Sequence, residues 1–223
     1  MIKTSAGALT AALLLLAAPA MAADVVALEQ PGALVEAPGA WQVRLRALGV
    51  ITEDEGGVDG IPGSDLHYSD TVVPELDITY YFTNNIAAEL ILGTTKASVF
   101  TGGSIDTLGK VGSTWVLPPT LTLQYHFTNF GAFKPYVGAG VNYTVFYNQK
   151  DSGPFTDMDI DNTFGAALQV GFDYMVDEHW GFNVDVKKIF LEPDWTANLG
   201  DTKLSGKADL NPWLIGAGVT YRF

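Results

Sequence analysis

Ile215-Gly216-Ala217-Gly218-Val219-Thr220-Tyr221-Arg222-Phe223 closes the chain with apolar side chains at every second position and small or polar ones between them. A repeat of two residues describes an extended strand with one apolar and one wet face. The alternation runs to the last residue, although the ends of a chain ordinarily fray. An apolar face kept to a terminus fits a strand that stands in lipid.

The opposite end leads to the same compartment. Lys3 precedes an apolar run from Ala6 to Ala18 that contains Leu13-Leu14-Leu15-Leu16, and Ala20-Met21-Ala22 supplies a small-x-small pattern. Residues 1–22 are therefore predicted to be a secretory signal peptide, cut after Ala22. The run is shorter than the roughly 20 residues that a spanning helix needs. After it, no stretch is apolar for long enough to cross a bilayer as a helix. Residues 23–40 are read as a periplasmic N-terminal segment, and residues 41–223 as one barrel domain.

The 223 residues contain no cysteine, which excludes a disulfide framework and thiolate chemistry. After the signal there are 25 acidic and 11 basic side chains, a net charge of −14. That sign disfavours nucleic acid as a partner. The 24 glycines and the 12% aromatic content suit curved strands and interfacial girdles.

Eight stretches alternate: residues 41–51, 71–82, 86–99, 113–127, 135–147, 163–175, 180–190 and 210–223. Between them, residues 83–85, 128–134 and 177–179 are short gaps. Residues 52–70, 100–112, 148–162 and 191–209 are long and rich in Gly, Asp, Ser or Pro. Short and long connections in strict turn predict an all-β, eight-stranded antiparallel up-and-down transmembrane β-barrel, with short turns in the periplasm and long loops outside. An even strand number lets the last strand pair with the first, so no backbone edge is left open in hydrocarbon.

The two faces decide between lipid and water as the surrounding solvent. One carries the large apolar side chains; the other carries Arg44, Glu75, Asp77, Glu89, Asp173, Asp185, Lys187 and Arg222. A soluble lipocalin-like barrel would turn its apolar face inward and has no reason to line the other with mid-strand charges. Trp41, Tyr80, Tyr125, Tyr174, Trp180 and Tyr221 are expected to form an inner aromatic girdle. Phe100, Trp115, Tyr147, Phe164, Trp195 and Trp213 would form an outer one. Lys188 interrupts the lipid-facing run, so it belongs high on the wall or at a bulge.

Several segments carry a family resemblance. Leu117-Pro118-Pro119-Thr120-Leu121, the run from Lys134 to Tyr143, Tyr81-Phe82-Thr83-Asn84-Asn85-Ile86-Ala87-Ala88-Glu89-Leu90, and Asn211-Pro212-Trp213 through to Phe223 resemble the OmpW family of small outer-membrane proteins. The match covers essentially the whole chain after the signal, with the loops poorest. The resemblance implies an eight-stranded barrel whose narrow, partly apolar interior passes small apolar molecules, which leave sideways through a gap in the wall. One position departs from the pattern. Where the family has a lumen-facing tryptophan in the seventh strand, this chain has Lys187. Leu76, the loose match to that tryptophan's leucine partner, has the parity of the outer face, so the gate has no assigned position.

The candidate site follows from the inward charges. Arg44, Arg46, Asp77, Glu89, Gln124, His126, Asp173, Asp185, Lys187 and Arg222 gather toward the periplasmic half. An eight-stranded barrel is only wide enough for side chains to fill it, so these groups must pair and are expected to form a polar plug. A plug blocks straight passage and turns cargo sideways. Pro118 and Pro119 cannot donate to a ladder and mark a candidate wall opening. Tyr221 and Phe223 are read as a C-terminal assembly signal. Asp157, Asp159 and Asp161 mimic the opening of a calcium loop, but the required glycine is missing and Leu168 stands where the closing Glu belongs. They are read with the first loop's acids as solvated loop residues, and no metal site is assigned. His67 lies near Ser64, Asp65, Ser69 and Asp70. Because geometry defines a triad and proximity in sequence does not, no catalytic residue is assigned and the chain is read as no enzyme.

These readings predict a passive channel for small hydrophobic molecules in the cell outer membrane of a Gram-negative bacterium, with lateral exit into the bilayer and no cofactor. Its expected partners are outer-membrane lipid and lipopolysaccharide, small hydrophobic solutes and the outer-membrane assembly machinery. The alternative is a structural or host- and surface-interacting barrel with no transport role.

Overall fold

The computed structural model of the chain describes residues 39–52 and 55–223. The signal expected at residues 1–22, and the expected periplasmic segment up to residue 38, lie outside them. Among the described residues no helix is long and apolar enough to cross a membrane. The first strands are β1 (Trp41–Ile51), β2 (Glu55–Gly56), β3 (Ser64–Tyr68), β4 (Thr71–Tyr81), β5 (Ile86–Gly93) and β6 (Thr95–Gly103). After a one-turn helix at Asp106–Leu108 come β7 (Lys110–Leu117), β8 (Thr120–His126) and β9 (Phe133–Asp151). The chain ends through β10 (Phe155–Ile160), β11 (Thr163–Met175), β12 (Trp180–Phe190), β13 (Asp194–Leu199), β14 (Thr202–Asp209) and β15 (Trp213–Arg222).

Eight of these close a ring in the order β1, β4, β5, β8, β9, β11, β12, β15 and back to β1, every neighbour antiparallel. The register places Arg44 across from Asp77 on one side and Thr220 on the other. Closure leaves no strand of the ring without a partner on each side, which hydrocarbon demands. Tight turns join the strands at one end. At the first, the Thr83 hydroxyl accepts hydrogen bonds from the backbone N–H groups of Asn85 (3.2 Å) and Ile86 (2.9 Å).

The faces are inverted relative to a soluble barrel. Leu123 and Val141 are each 60% exposed on the outside, whereas Arg44, Asp77 and Asp185 are at 0% inside. Lys188 has outward parity and its ladder pairings with Leu168 and Trp213 are unbroken, so it marks no bulge. Its ammonium reaches the Asn211 carbonyl at 2.5 Å and lies 5.0 Å from the centre of the Trp213 ring, a snorkelling position.

Four expectations need correcting. Residues 86–99 and 113–127 are not single strands: each breaks, at Thr94 and at Pro118-Pro119, into a barrel half (β5, β8) and an outer half (β6, β7). The long gaps are largely strands too. β3, β6, β7 and the upper part of β9 continue the wall as one sheet, and β10, β13, β14 and β2 form a second. Their apolar residues meet in a packed cluster that includes Leu66, Phe155, Met158, Ile160 and Trp195. Trp195 is therefore buried there, not part of the outer girdle, while Phe100, Tyr147, Phe164 and Trp213 are exposed. Met158 and Ile160 are buried and alternate with exposed Asp157 and Asp159, so the first two acids of the repeat lie on one face of a strand, with a register shift between Thr156 and Asp159.

Candidate functional site

β1 shows how the interior is built. Its inward residues are Gln42, Arg44, Arg46, Leu48 and Val50, climbing about 6.8 Å per pair of residues. Polar groups thus occupy one half of the barrel and apolar ones the other. The same change occurs on β12, from Asp185 and Lys187 to Ile189, and on β4, read in reverse, from Asp77 and Glu75 to Val73.

The polar half is a continuous ionic network. The Arg44 guanidinium donates to Asp173 from Nε (2.9 Å) and Nη2 (2.6 Å), and Nη1 donates to Glu89 (2.6 Å) and Thr79 (2.9 Å). Arg46 Nε donates to Glu75 Oε1 at 2.8 Å, and its Nη2 faces Asp77 at 2.5 Å. Lys187 bridges Glu75 Oε1 (3.0 Å) and Asp185 (2.8 Å). Neutral groups complete it. The Gln169 amide donates to Glu89 and Asp185, each at 2.8 Å, Gln124 donates to Glu89 at 2.7 Å, and the Tyr136 hydroxyl donates to Asp185 at 2.8 Å. His126 sits 2.9 Å from Gln124 Oε1 with its ring between Tyr81 and Tyr136. Each charge is out of water, so losing one partner strands the other at a cost of about 3–5 kcal/mol.

Packing leaves little room there. An added methyl at Gly171 would collide with the Tyr136 ring and the Val184 carbonyl. That glycine is what lets a tyrosine lie across the lumen. Below the network, at the mouth on the short-turn side, is a polar vestibule of about 370 Å³ lined by Gln42, Tyr81, Lys134 and Arg222 among others.

Above the network lies a cavity of about 100 Å³ with a largely apolar lining that includes Leu48, Val50, Val73, Ile91, Ile189 and Leu214. The packed cluster of the outer tier caps it. At its side the wall is thin. The β4–β5 ladder stops at Glu75 opposite Gly93, next to Pro74, which has no N–H to donate. Residues 71–74 share no ladder with β6; the Thr71 and Thr95 hydroxyls meet at 2.9 Å across the interval. Thr71, Gly93, Thr94 and Thr95 all line the cavity.

Nine of the ten predicted plug residues come together in the network. Arg222 stands apart at the mouth, its Nε donating to the Gly39 carbonyl at 3.1 Å and its guanidinium 4.0 Å from the centre of the Tyr81 ring. Pro118 lines the cavity one strand beyond the thin wall. Across the proline pair the backbone stays joined to β9, since Tyr143 N–H donates to the Pro119 carbonyl (3.1 Å) and the Asn142 amide to that of Pro118 (3.1 Å). Leu76 is on the outer face, 39% exposed. Phe223 is exposed, and Tyr221 stacks on His179 and meets Trp180 edge-on. Near His67 the hydroxyls serve the backbone: Ser64 donates to the Ile61 carbonyl (2.8 Å) and Ser69 accepts from Ser98 N–H (3.1 Å). Among the described residues no group of acids and histidines is arranged to hold a metal ion. Glu75, Gln169, Asn183 and Tyr136 belong to the network but not to the predicted set. Parity was the available signal, because each lies an even number of residues from a predicted member on its own strand or faces one across the lumen.

Residues 37–223 match a family model described as the OmpW family. An uncharacterised outer-membrane protein of Sinorhizobium fredii is 67% identical over 186 residues, 82% of this chain and 80% of that one. The dibenzothiophene metabolism operon protein PahQ of Pseudomonas aeruginosa is 28% identical over 163 residues, 73% of this chain and 77% of its own length. Among solved structures, the outer-membrane protein OprG from Pseudomonas aeruginosa superposes with a TM-score of 0.76 at 29% identity, covering 83% of this chain and 97% of that one.

Proposed function

This chain belongs to the OmpW family and resides in the outer membrane of a Gram-negative bacterium, and on that footing we propose that it is a passive channel for small hydrophobic molecules that leave sideways into the bilayer. The carrying observation is the cavity's surroundings: a buried ionic network beneath, a packed cluster above, and an unladdered strip of wall beside it. An apolar solute gains nothing by crossing the network, where it would have to displace paired charges, and loses little by slipping from an apolar cavity into acyl chains. The proposed exit lies between residues 71–74 and 94–96, adjacent to the Pro118-Pro119 break. The relative named for dibenzothiophene metabolism, a process acting on an apolar aromatic compound, supports the same cargo class. Near His67, in β3, the Ser64 and Ser69 hydroxyls are bound to backbone, which supports a reading without catalysis. Tyr221 and Phe223, on the closing strand's lipid side, suit a signal read by the assembly machinery.

The absence of native cysteine gives a clean test. In a Thr71→Cys/Thr95→Cys variant the two sulfurs replace hydroxyls that already touch. Oxidation should lower uptake of an apolar tracer by about tenfold in cells, and reduction should restore it. Unchanged uptake with the staple closed would remove this exit.

A further inference from the structure

The cavity has a charged floor, and its charges are unequal. Among the described residues, five inward carboxyls (Glu75, Asp77, Glu89, Asp173 and Asp185) share the network with three permanent cations, Arg44, Arg46 and Lys187. The member that reaches the cavity is an acid. Glu75 lines it, and the contacts from Arg46 Nε, Arg46 Nη2 and Lys187 Nζ all fall on Oε1. Oε2 takes none of these contacts. The cations beneath are sealed, with Arg46 at 2% and Lys187 at 0% exposure, and their donors are turned toward Glu75, Asp77, Asp185 and Asn183. The other charged residue on the lining, Lys96, is exposed and has the outward parity of its strand, opposite to Thr95 and Ala97.

We infer that Glu75 sets the class of cargo: the cavity takes apolar molecules that end in a hydrogen-bond donor, such as aliphatic alcohols and phenols, and turns away apolar carboxylates. This rests on the uptake reading above and narrows it. An alcohol can lay its chain along Leu48, Val50 and Ile189 and donate its O–H to Glu75 Oε2, a charge-assisted bond in a water-poor site. A carboxylate of the same length would bring an anion against an acid-rich floor whose cations are sealed, while Lys96 has the outward parity of its strand. Unpaired like charges in low dielectric are strongly disfavoured.

The test compares 1-decanol with decanoate, both radiolabelled, by initial uptake at neutral pH into cells with and without the protein. Protein-dependent entry of decanol should exceed that of decanoate by roughly tenfold. Glu75→Gln should shrink that ratio several-fold. Because Glu75→Gln also weakens the hold on Arg46 and Lys187, a second variant leaves the network alone. Val73→Lys places a cation on the same face of β4, two residues from Glu75, and should raise decanoate entry relative to decanol. Equal protein-dependent entry of both tracers overturns the selectivity and leaves the channel standing. A ratio that neither variant moves overturns the role of Glu75. Entry of both tracers without dependence on the protein overturns the channel and this inference together.

Discussion

The two halves of the barrel are made by the same strands and obey opposite rules. On β1 the inward side chains pass from Arg44 and Arg46 to Leu48 and Val50 within seven residues. The lower half is filled, and every side chain there has a specific partner. The upper half encloses open space, and its side chains only need to be apolar. A closed ring of backbone hydrogen bonds holds the lower half, while beside the upper one the ladder between residues 71–74 and β6 is missing. The lower half fixes what cannot pass; the upper half fixes what can stay.

The contrast breaks most sharply at its centre. Arg44→Met strands Asp173 and Glu89 and should destabilise the barrel by about 3–5 kcal/mol in urea unfolding from lipid vesicles. Replacing Arg44, Asp173 and Glu89 together by apolar residues should recover most of that loss, because the expense lies in the unpaired charge. Next comes Gly171→Ala, where one methyl meets Tyr136 and should cost about 1–3 kcal/mol in the same assay. In the upper half a far larger change should be tolerated. Val50→Trp fills the cavity and should cut apolar tracer uptake by about tenfold, while its unfolding midpoint moves less than that of Gly171→Ala. The smallest effect lies outside both halves. The Asp177 carboxylate accepts from the backbone N–H groups of Trp180 (2.6 Å) and His179 (2.8 Å), which hold it below the usual carboxylate range. A depressed acid stabilises the fold above its unfolded value, and that contribution fades as pH falls through the folded one. Asp177→Ala should therefore be slightly less stable than the parent at neutral pH, and the gap should close below about pH 4.

Much of this was legible in the chain. The repeat of two is strict wherever a strand divides lipid from lumen, and so the eight barrel strands and the inward residues on them follow from parity. The outer tier was harder to read because its strands divide water from a small protein core, and their pattern competes with turn residues. Residues 157–161, Asp-Met-Asp-Ile-Asp, alternate as cleanly as any barrel strand, yet the acids suggest a loop. Trp195 looked interfacial because sequence gives no membrane boundary; it is buried among Leu66, Met158 and Ile160. The cavity was illegible for another reason. It arises where Leu48, Val73, Ile91 and Ile189 from four different strands come level, and stagger between strands cannot be read from any one of them.

Residues 42 and 222, near the two ends of the described chain, are direct partners across the β1–β15 seam. No hairpin between neighbouring strands can seal the ring, since the ten residues of β15 carry both of the last seams. The closing seam joins strands far apart in sequence, a kind of pairing that forms slowly. Without β15, β1 and β12 would each present a bare edge to which other chains could add. A chain clipped within β15 would therefore remain an open sheet.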